Sequence, residues 1–172
     1  MKKLLVVVDM QHDFLTGTLQ NPDAEAVLPA VRARIARARA EGECVVFTRD
    51  THGADYLSTR EGRLLPVPHC LKGTPGWELA EGLAGPGEKI FDKTSFASLE
   101  LAGWAAAEGF GAVELIGVCT DICVISNAFA LKAALPEAEI EVNAACCAGV
   151  TPQAHRTALE AMRACQITVL EG

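Results

Sequence analysis

The sequence has 172 residues, half of them hydrophobic, and a formal net charge of −7. This composition predicts one globular domain over residues 1–172, and it excludes a disordered chain. The acidic balance argues against nucleic acid or a membrane surface as a partner. Seven cysteines without paired Cys-x-x-Cys sets are typical of a reduced cytoplasmic protein. The apolar run after the first three residues is too short for a signal peptide or a membrane span.

Hydrophobic patterning predicts strands that alternate with helices along the whole chain. The predicted strands cover residues 4–8, 44–48, 89–92, 113–118, 139–142 and 167–170. The predicted helices cover residues 26–41, 77–83, 98–108, 152–164 and a segment from residue 122 onward. The arginines of the first helix are interpreted as its solvated face, and they are Arg32, Arg34, Arg37 and Arg39.

This alternation predicts an α/β fold, a doubly wound three-layer sandwich with a mostly parallel six-stranded sheet. The strand order should reverse between the first and fourth strands, and ligands of such sheets bind beyond the carboxyl ends of the strands. Asp9, Asp50 and Lys93 close the first three strands, and Cys123 follows the fourth. We therefore expect these four side chains to meet at one edge of the sheet.

Cys123 is the candidate nucleophile. Thr120 and Asp121 are residue types that cap helices, so Cys123 is predicted to lie in the first turn of a helix. The unpaired N–H groups and the helix dipole at that position favour a thiolate, and the same N–H groups can hold a developing oxyanion. The alternative interpretation of Cys123 is a small buried hydrophobic residue.

Asp9 and Lys93 are predicted partners of this cysteine. A carboxylate after an aliphatic strand should be partly desolvated, with a raised pKa unless a cation pairs with it. Lys93 can be that cation, and it also stabilises a thiolate, while Asp9 can take the thiol proton and return it to a leaving amine. The set is suited to acyl transfer. Taken singly, each residue has an ordinary alternative interpretation. Asp9 can be a carboxylate that caps or braces a loop, and Lys93 can be a surface lysine.

A second group of polar residues, Asp50-Thr-His52 with His69 downstream, has the residue types of a divalent metal site. In extended backbone Asp50 and His52 lie on the same side, and a distant histidine can close the site. Cys70 is another possible ligand, but its side chain is expected to point away from His69. A polar loop without metal is the alternative.

Taken together, these residues resemble the cysteine hydrolase branch of the isochorismatase-like superfamily, most of all the nicotinamidases. The motifs that carry the resemblance are Val-Val-Asp9-Met-Gln-x-Asp-Phe, Thr-Arg-Asp50-Thr-His52, Pro-His69-Cys-x-x-Gly-Thr-Pro-Gly, Lys93-Thr-Ser-Phe and Gly-Val-Cys-Thr-Asp-x-Cys123-Val. The resemblance implies that Asp9, Lys93 and Cys123 form a catalytic triad. It also implies a cis peptide bond before Cys119, with the backbone N–H groups of Cys119 and Cys123 as the oxyanion hole.

By the same resemblance, Asp50, His52 and His69 bind a divalent ion, zinc first and iron or manganese as alternatives. Glu61 is placed to replace a third histidine that many members have. Phe14 and Leu19 match positions that line the substrate pocket in the family. Trp77 is a further candidate for this lining. The aromatic residue that often precedes the second histidine is absent, and Pro66, Val67 and Pro68 stand there.

The resemblance implies that the protein hydrolyses a small carboxamide, with nicotinamide as the first choice of substrate, and that it forms a homo-oligomer, a dimer or a tetramer. Another small amide or carbamoyl compound is the alternative within the family. A metal-sensing or thiol-sensing binding module without turnover is the alternative of another class.

Overall fold

The computed structural model describes residues 1–171, which form six strands and six α-helices. The strands are β1 (Lys3–Val8), β2 (Cys44–Asp50), β3 (Lys89–Lys93), β4 (Ala112–Val118), β5 (Glu139–Ala148) and β6 (Thr168–Leu170). The helices are α1 (His12–Leu15), α2 (Pro22–Ala40), α3 (Arg60–Leu64), α4 (Leu99–Glu108), α5 (Ile125–Ala134) and α6 (Pro152–Ala164). Shorter turns are the 3₁₀ turns Tyr56–Ser58 and Pro75–Trp77 and the π-helical turn Thr120–Val124.

The strands form one sheet in the order β3-β2-β1-β4-β5-β6, and every pair is parallel. β1 lies between β2 and β4, so the order reverses between the first and fourth strands, as predicted. Within residues 1–171, no helix has the length and apolar content that crossing a bilayer requires.

Helices cover both faces of the sheet, which confirms the three-layer architecture. Successive side chains of a strand point to opposite faces. Leu4, Val6 and Val8 of β1 accordingly pack in the core under α4, α5 and α6. Leu5 and Val7 pack in the second core, under α2. Because β1 is buried on both faces, it is a continuous apolar run rather than an alternating one.

β4 approaches β1 very closely at one residue. Gly117 has φ +115°, and a side chain there would collide with the backbone of Val8. Only glycine suits this conformation and this spacing. The contact fixes where β4 ends, and therefore where the following turn begins.

Two predicted elements differ from the structure. The helix predicted at residues 77–83 is wrong. After the turn Pro75–Trp77 this segment is irregular, since the Ala80 N–H donates to the Met10 carbonyl at 2.9 Å and Leu79 forms an antiparallel bridge with Gln11. β5 is longer than predicted because, after an irregularity, it pairs again with the end of β4 and continues to Ala148.

Arg34 is not on a solvated helix face, contrary to the prediction for the α2 arginines. It is buried, and its Nη2 lies 2.6 Å from Glu114 Oε2 and 2.7 Å from Glu43 Oε2. Glu114 belongs to the central strand β4, so the pair joins α2 to the sheet. Removal of one partner from a buried ion pair strands the other charge, which costs about 3–5 kcal/mol.

Candidate active site

The carboxyl ends of neighbouring strands bring four functional side chains together. Asp9 follows β1 directly, Asp50 ends β2 and Lys93 ends β3. Asp50 and Lys93 are partners in the register of β2 and β3. Cys123 lies in the π-helical turn after β4, and all four residues are buried. The structure thus places them at one edge of the sheet, where the sequence predicts them.

Lys93 is the centre of this group. Its Nζ lies 2.7 Å from Asp9 Oδ2, 3.4 Å from Cys123 Sγ and 3.5 Å from Asp50 Oδ1, and it donates to the Ser95 carbonyl at 3.2 Å. Burial lowers the pKa of Lys93, but the negative charges around it outweigh that effect and hold the pKa above its ordinary value. Lys93 is therefore a permanent cation at neutral pH.

Asp9 is a buried carboxylate with a strained backbone. Its φ of +49° is uncommon for a residue other than glycine, and such conformations concentrate at functional sites. Thr48 Oγ1 donates to Asp9 Oδ1 at 2.6 Å, while Oδ2 faces Lys93. Burial raises the pKa of Asp9, and the Lys93 charge opposes that shift without cancelling it. A carboxylate with a raised pKa is a better general base than a free aspartate.

Cys123 does not have the low pKa that the sequence predicts. Burial raises the pKa of the Cys123 thiol well above its ordinary value, and the Asp9 charge raises it further, although Lys93 acts in the opposite direction. The prediction of a resting thiolate stabilised by the helix terminus is therefore wrong. Desolvation of the sulfur outweighs the attraction of the nearby positive charges. Burial thus disfavours a thiolate at Cys123.

Thr120 and Asp121 do not cap the helix that carries Cys123, contrary to the prediction. Cys119 holds the capping position and makes no side-chain cap. Thr120 Oγ1 instead lies 2.8 Å from Nδ1 of His155, and Asp121 Oδ1 accepts from the Val150 N–H at 2.9 Å. Burial lowers the pKa of His155, so this histidine is neutral at pH 7. The two contacts fasten the turn to α6 and the loop before it.

Asn127 fixes the other side of the turn. Its Nδ2 donates to the Cys123 carbonyl at 2.8 Å, and its Oδ1 accepts from the Ser98 N–H at 3.0 Å. The peptide bond between Val118 and Cys119 is cis. Sequence reasoning missed Asn127. Its position one helical turn after Cys123, as a buried polar residue in an apolar helix, was the available signal.

A second cluster adjoins this group through Asp50. The ligand atoms of Asp50, His52, Glu61 and His69 lie within 4.8 Å of one another. Asp50 Oδ2 is 3.0 Å from His52 Nε2 and 3.3 Å from His69 Nε2, and Glu61 Oε1 is 3.6 and 3.7 Å from the same two nitrogens. Burial raises the pKa of Asp50, but hydrogen bonds from the two histidines outweigh it and hold the pKa well below its usual range.

The donor set fits a divalent ion. Four ligands at 2.0–2.1 Å from a tetrahedral ion are separated by about 3.3 Å, which lies within the range of the observed separations. His69 Nδ1 lies 2.8 Å from the Val67 carbonyl, which accepts its proton and leaves Nε2 free to face the cluster. Cys70 does not contribute a ligand to this group. Its N–H donates to Asp13 Oδ2 at 2.7 Å, and this bond holds the segment that carries His69.

Tyr56 supports both histidines, and sequence reasoning missed it. Its ring centroid lies 4.7 Å from that of His52 and 5.1 Å from that of His69, both edge-on. Its hydroxyl donates to the Leu65 carbonyl at 2.8 Å. Tyr56 is buried, although it belongs to a long loop segment between β2 and β3. A single tyrosine in such a segment has no periodic pattern that predicts burial.

A cavity of about 700 Å³ opens above these groups. Asp50, His52, His69 and Cys123 lie at its reactive end, and Cys119 also lines it. The apolar lining is Phe14, Leu19, Leu64, Leu65, Phe96 and Ile122. Phe14 and Leu19 thus lie where the sequence predicts.

Trp77 does not line this cavity, contrary to the prediction. Its Nε1 donates to Thr51 Oγ1 at 2.8 Å, and the Arg49 guanidinium lies 3.5 Å above its ring. The Trp77 carbonyl accepts from Gln11 Nε2 at 2.8 Å. The side chain therefore braces the loop behind the cavity and does not take the place of the absent aromatic residue near His69.

The profile of the family described as the isochorismatase domain matches residues 3–172. The chain belongs to the isochorismatase family. The resemblance inferred from the motifs is thereby confirmed.

Relatives within the isochorismatase family include enzymes with different names. Streptothricin hydrolase of Streptomyces noursei is 34% identical over 128 residues, which cover 72% of this chain and 46% of that protein. The chain thus matches less than half of the length of that relative. Nicotinamidase/pyrazinamidase of Mycobacterium tuberculosis is 29% identical over 143 residues, 73% of this chain and 76% of that protein.

Solved structures of similar proteins match this chain over its full length. The pyrazinamidase of Pyrococcus horikoshii, in complex with zinc, superposes with a TM-score of 0.88 at 30% identity and 100% coverage of both chains. The chain is thus similar to proteins named as nicotinamidases and pyrazinamidases and to a named streptothricin hydrolase.

Proposed function

We infer that the protein hydrolyses a small carboxamide through a thioester on Cys123, with nicotinamide as the substrate and nicotinate and ammonia as the products. One observation carries this proposal. Asp9, Lys93 and Cys123 are in contact at the end of a cavity whose lining also includes the four candidate metal ligands. The names of the relatives in Mycobacterium tuberculosis and Pyrococcus horikoshii support the choice of amide.

The proton path starts at Cys123. The thiol gives its proton to the Asp9 carboxylate as the sulfur attacks the amide carbon, and the carbonyl oxygen becomes an oxyanion. Protonated Asp9 then donates to the amide nitrogen, and the C–N bond breaks to release ammonia and leave a thioester. A water molecule, deprotonated by Asp9, attacks the thioester, and the C–S bond breaks as Asp9 returns this proton to the Cys123 sulfur. The product leaves as the carboxylic acid, which becomes the carboxylate by giving its proton to the released ammonia or to water.

Lys93 stays protonated throughout. Its ammonium compensates the charge of Asp9 in the resting state and that of the sulfur during attack, because it lies close to both atoms. The backbone N–H groups of Cys119 and Cys123 are the proposed oxyanion hole. Thr120, Asp121 and Asn127 fasten the turn that carries these groups.

The metal cluster is proposed to orient the substrate. A divalent ion held by Asp50, His52, Glu61 and His69 would act as a Lewis acid on a ring nitrogen taken as an additional ligand beyond these four, with zinc expected and iron or manganese as alternatives. Asp50 links the two groups, since Oδ1 faces Lys93 and Oδ2 faces the histidines. A compound with a ring nitrogen and a carboxamide can therefore contact both.

The test is ammonia release from nicotinamide by the metal-loaded protein. We expect turnover that is lost in the Cys123→Ala variant and reduced strongly after chelation. The matched control is Cys165→Ala, because Cys165 is an exposed cysteine outside the site. Trapping of an acyl group on Cys123 by mass spectrometry would identify the thioester. Full turnover by Cys123→Ala would refute the proposed nucleophile.

A second candidate is hydrolysis of another amide or carbamoyl compound by the same residues. The relative named streptothricin hydrolase favours it, and so does the absence of an aromatic residue at positions 66–68. A Cys123 acyl-enzyme formed from another amide, with no ammonia from nicotinamide, would select this candidate. A sensing module without turnover would show neither ammonia release nor an acyl-enzyme. Cytoplasmic location and homo-oligomeric assembly stay predictions.

His155 is predicted to position the catalytic turn. Loss of its hydrogen bond with buried Thr120 in His155→Ala should cost about 1 kcal/mol of positioning, which lowers kcat about fivefold with little change in KM. The conservative variant His155→Asn can place a polar atom near the position of Nδ1, so it should restore much of the rate. Steady-state kinetics of both variants, with melting temperatures as a fold check, measure this. Equal rates for the alanine and asparagine variants would contradict it.

A further inference from the structure

We propose that the preferred substrates are aromatic carboxamides that carry an apolar substituent larger than a hydrogen, such as a phenyl group, directed toward the cavity mouth. The inference rests on the proposed amide hydrolysis and narrows its substrate class. It follows from the size of the cavity, from the chemistry of its outer walls and from the way in which those walls are held.

The cavity is larger than nicotinamide requires. At roughly 30 Å³ per non-hydrogen atom, the share of a molecule in liquid water, its about nine such atoms take about 270 Å³. The cavity has about 700 Å³, so more than half of it stays unfilled when the carboxamide reaches Cys123. Volumes of this order are typical of pockets for larger ligands.

The lining beyond the reactive groups is mostly apolar, although Asp55, Thr59, Arg60, Thr94 and Ser95 also contribute to it. Its apolar side chains come from separate segments: Leu64 and Leu65 form the leucine wall, and Phe96 and Ile122 lie in other parts of the chain. Leu64 is 74% exposed and Phe96 is 42% exposed, so these side chains find little packing within the protein. Contiguous exposed apolar surface beside a site is typical of a binding region. Its continuity with the catalytic cavity identifies the substrate's own substituent as the occupant.

The leucine wall and the Phe96 segment are both held by hydrogen bonds that depend on the active site. The Leu65 carbonyl accepts from the Tyr56 hydroxyl, and the Tyr56 ring contacts both histidines of the metal cluster. The Phe96 carbonyl accepts from Asn127 Nδ2 at 3.1 Å, and the same nitrogen donates to the Cys123 carbonyl. The positions of both are thus fixed relative to the nucleophile, as a specificity pocket requires.

The segment before His69 leaves room for such a substituent. Positions 66–68 are Pro-Val-Pro, with Pro66 and Pro68 exposed, so no aromatic ring covers the substrate from this side. Trp77, the nearest tryptophan in sequence, is buried behind the cavity and hydrogen-bonded to Thr51. A substituent on the pyridine ring therefore meets no aromatic side chain from residues 66–68, and an added apolar group there gains contact with the leucine wall.

The experiment compares nicotinamide with its phenyl isomers, each of which carries one phenyl group on a different free ring carbon. We expect the best isomer to have a kcat/KM about tenfold above that of nicotinamide, because it buries apolar surface of both partners. Leu64→Ser should lower the ratio of kcat/KM for the best phenyl isomer to kcat/KM for nicotinamide about fivefold. Leu57→Ser is the matched control, since Leu57 is an exposed leucine of the same segment that does not line the cavity. Its ratio should equal that of the wild type.

The outcomes separate the two proposals. Hydrolysis of nicotinamide with every phenyl isomer slower overturns the inference and leaves the proposed function standing. No hydrolysis of any of these amides overturns the proposed function itself. If Leu64→Ser instead changes the oligomeric state in size-exclusion chromatography and slows all amides equally, the leucine wall is a contact between copies of the chain, and the inference is again overturned.

Discussion

Replacement of Asp9 by asparagine is expected to lower turnover about 1,000-fold while making Cys123 more reactive toward iodoacetamide. The two effects have opposite signs because Asp9 acts on Cys123 in two ways. As a base it removes the thiol proton during attack, and as a negative charge it raises the pKa of the resting thiol. Asparagine removes both actions and keeps the size of the side chain.

The pH dependence of alkylation shows directly whether Asp9→Asn raises or lowers the pKa of the Cys123 thiol. In the wild type, burial and the Asp9 charge raise the pKa of Cys123, so the alkylation rate should still rise above pH 9. In Asp9→Asn, the Lys93 ammonium at 3.4 Å is the nearest remaining charge, and the pKa of the thiol should fall. The rise should therefore occur at lower pH than in the wild type.

The measurement requires a background without the exposed thiol of Cys165, so both proteins should carry Cys165→Ala. Peptide mapping then assigns the alkylated residue. Asp23→Asn is a suitable control, since Asp23 is an exposed aspartate of α2, and it should change neither turnover nor alkylation. If Asp9→Asn lowered turnover and alkylation together, Asp9 would only support the structure around Cys123.

The predicted thiolate and the burial of Cys123, which raises the pKa of its thiol, show what local sequence can supply. A strand that ends at a polar residue is a local pattern, and parallel strands bring such ends together, so Asp9, Asp50 and Lys93 were predictable as neighbours. The protonation state of Cys123 depends on how deeply the fold buries the sulfur. That depth is set by α4 and α5 packing over the sheet, which no residue adjacent to Cys123 specifies.

The same distinction applies to the residues that sequence reasoning missed or misplaced. The sequence pattern around Arg34 is that of a solvated helix face, but Arg34 is buried because it pairs with Glu114, which lies 80 residues away in the sequence. Tyr56 and Trp77 lie in irregular segments without periodicity, where burial is decided by distant contacts. His155 and Thr120 are likewise 35 residues apart. Hydrogen bonds between residues distant in the sequence, rather than propensity, determined the positions of Arg34 and Trp77.

Removal of one metal ligand is the second change with a large expected effect. His52→Ala should lower metal affinity and turnover more than about 100-fold, the upper end of the effect of losing an outer-shell partner, because it removes one of the two nitrogen donors among the four candidate ligands. His12→Ala is the matched control, since His12 begins α1 and is outside the cluster. It should retain both the metal and the activity. Elemental analysis after dialysis measures metal content independently of catalysis.

Thermal stability provides a second readout that does not require the correct substrate. A ligand at about 100 times its Kd stabilises the folded state by about 2.7 kcal/mol. For a chain of this size, that corresponds to a rise of about 5–10 °C in Tm. The chelated wild type and His12→Ala should show this rise when zinc is added, and His52→Ala should not.

Glu61→Gln tests the fourth ligand by the same measurement. Glu61 is less buried than the other three, and its oxygen lies 3.6–3.7 Å from the histidine nitrogens, the longest of these separations. We expect its loss to weaken zinc stabilisation less than the loss of His52 does, because three donors remain in place. A zinc-induced rise in Tm of wild-type size would show that Glu61 does not hold the ion. A complete loss, equal to that of His52→Ala, would show that the site requires both carboxylates to offset the charge of the metal.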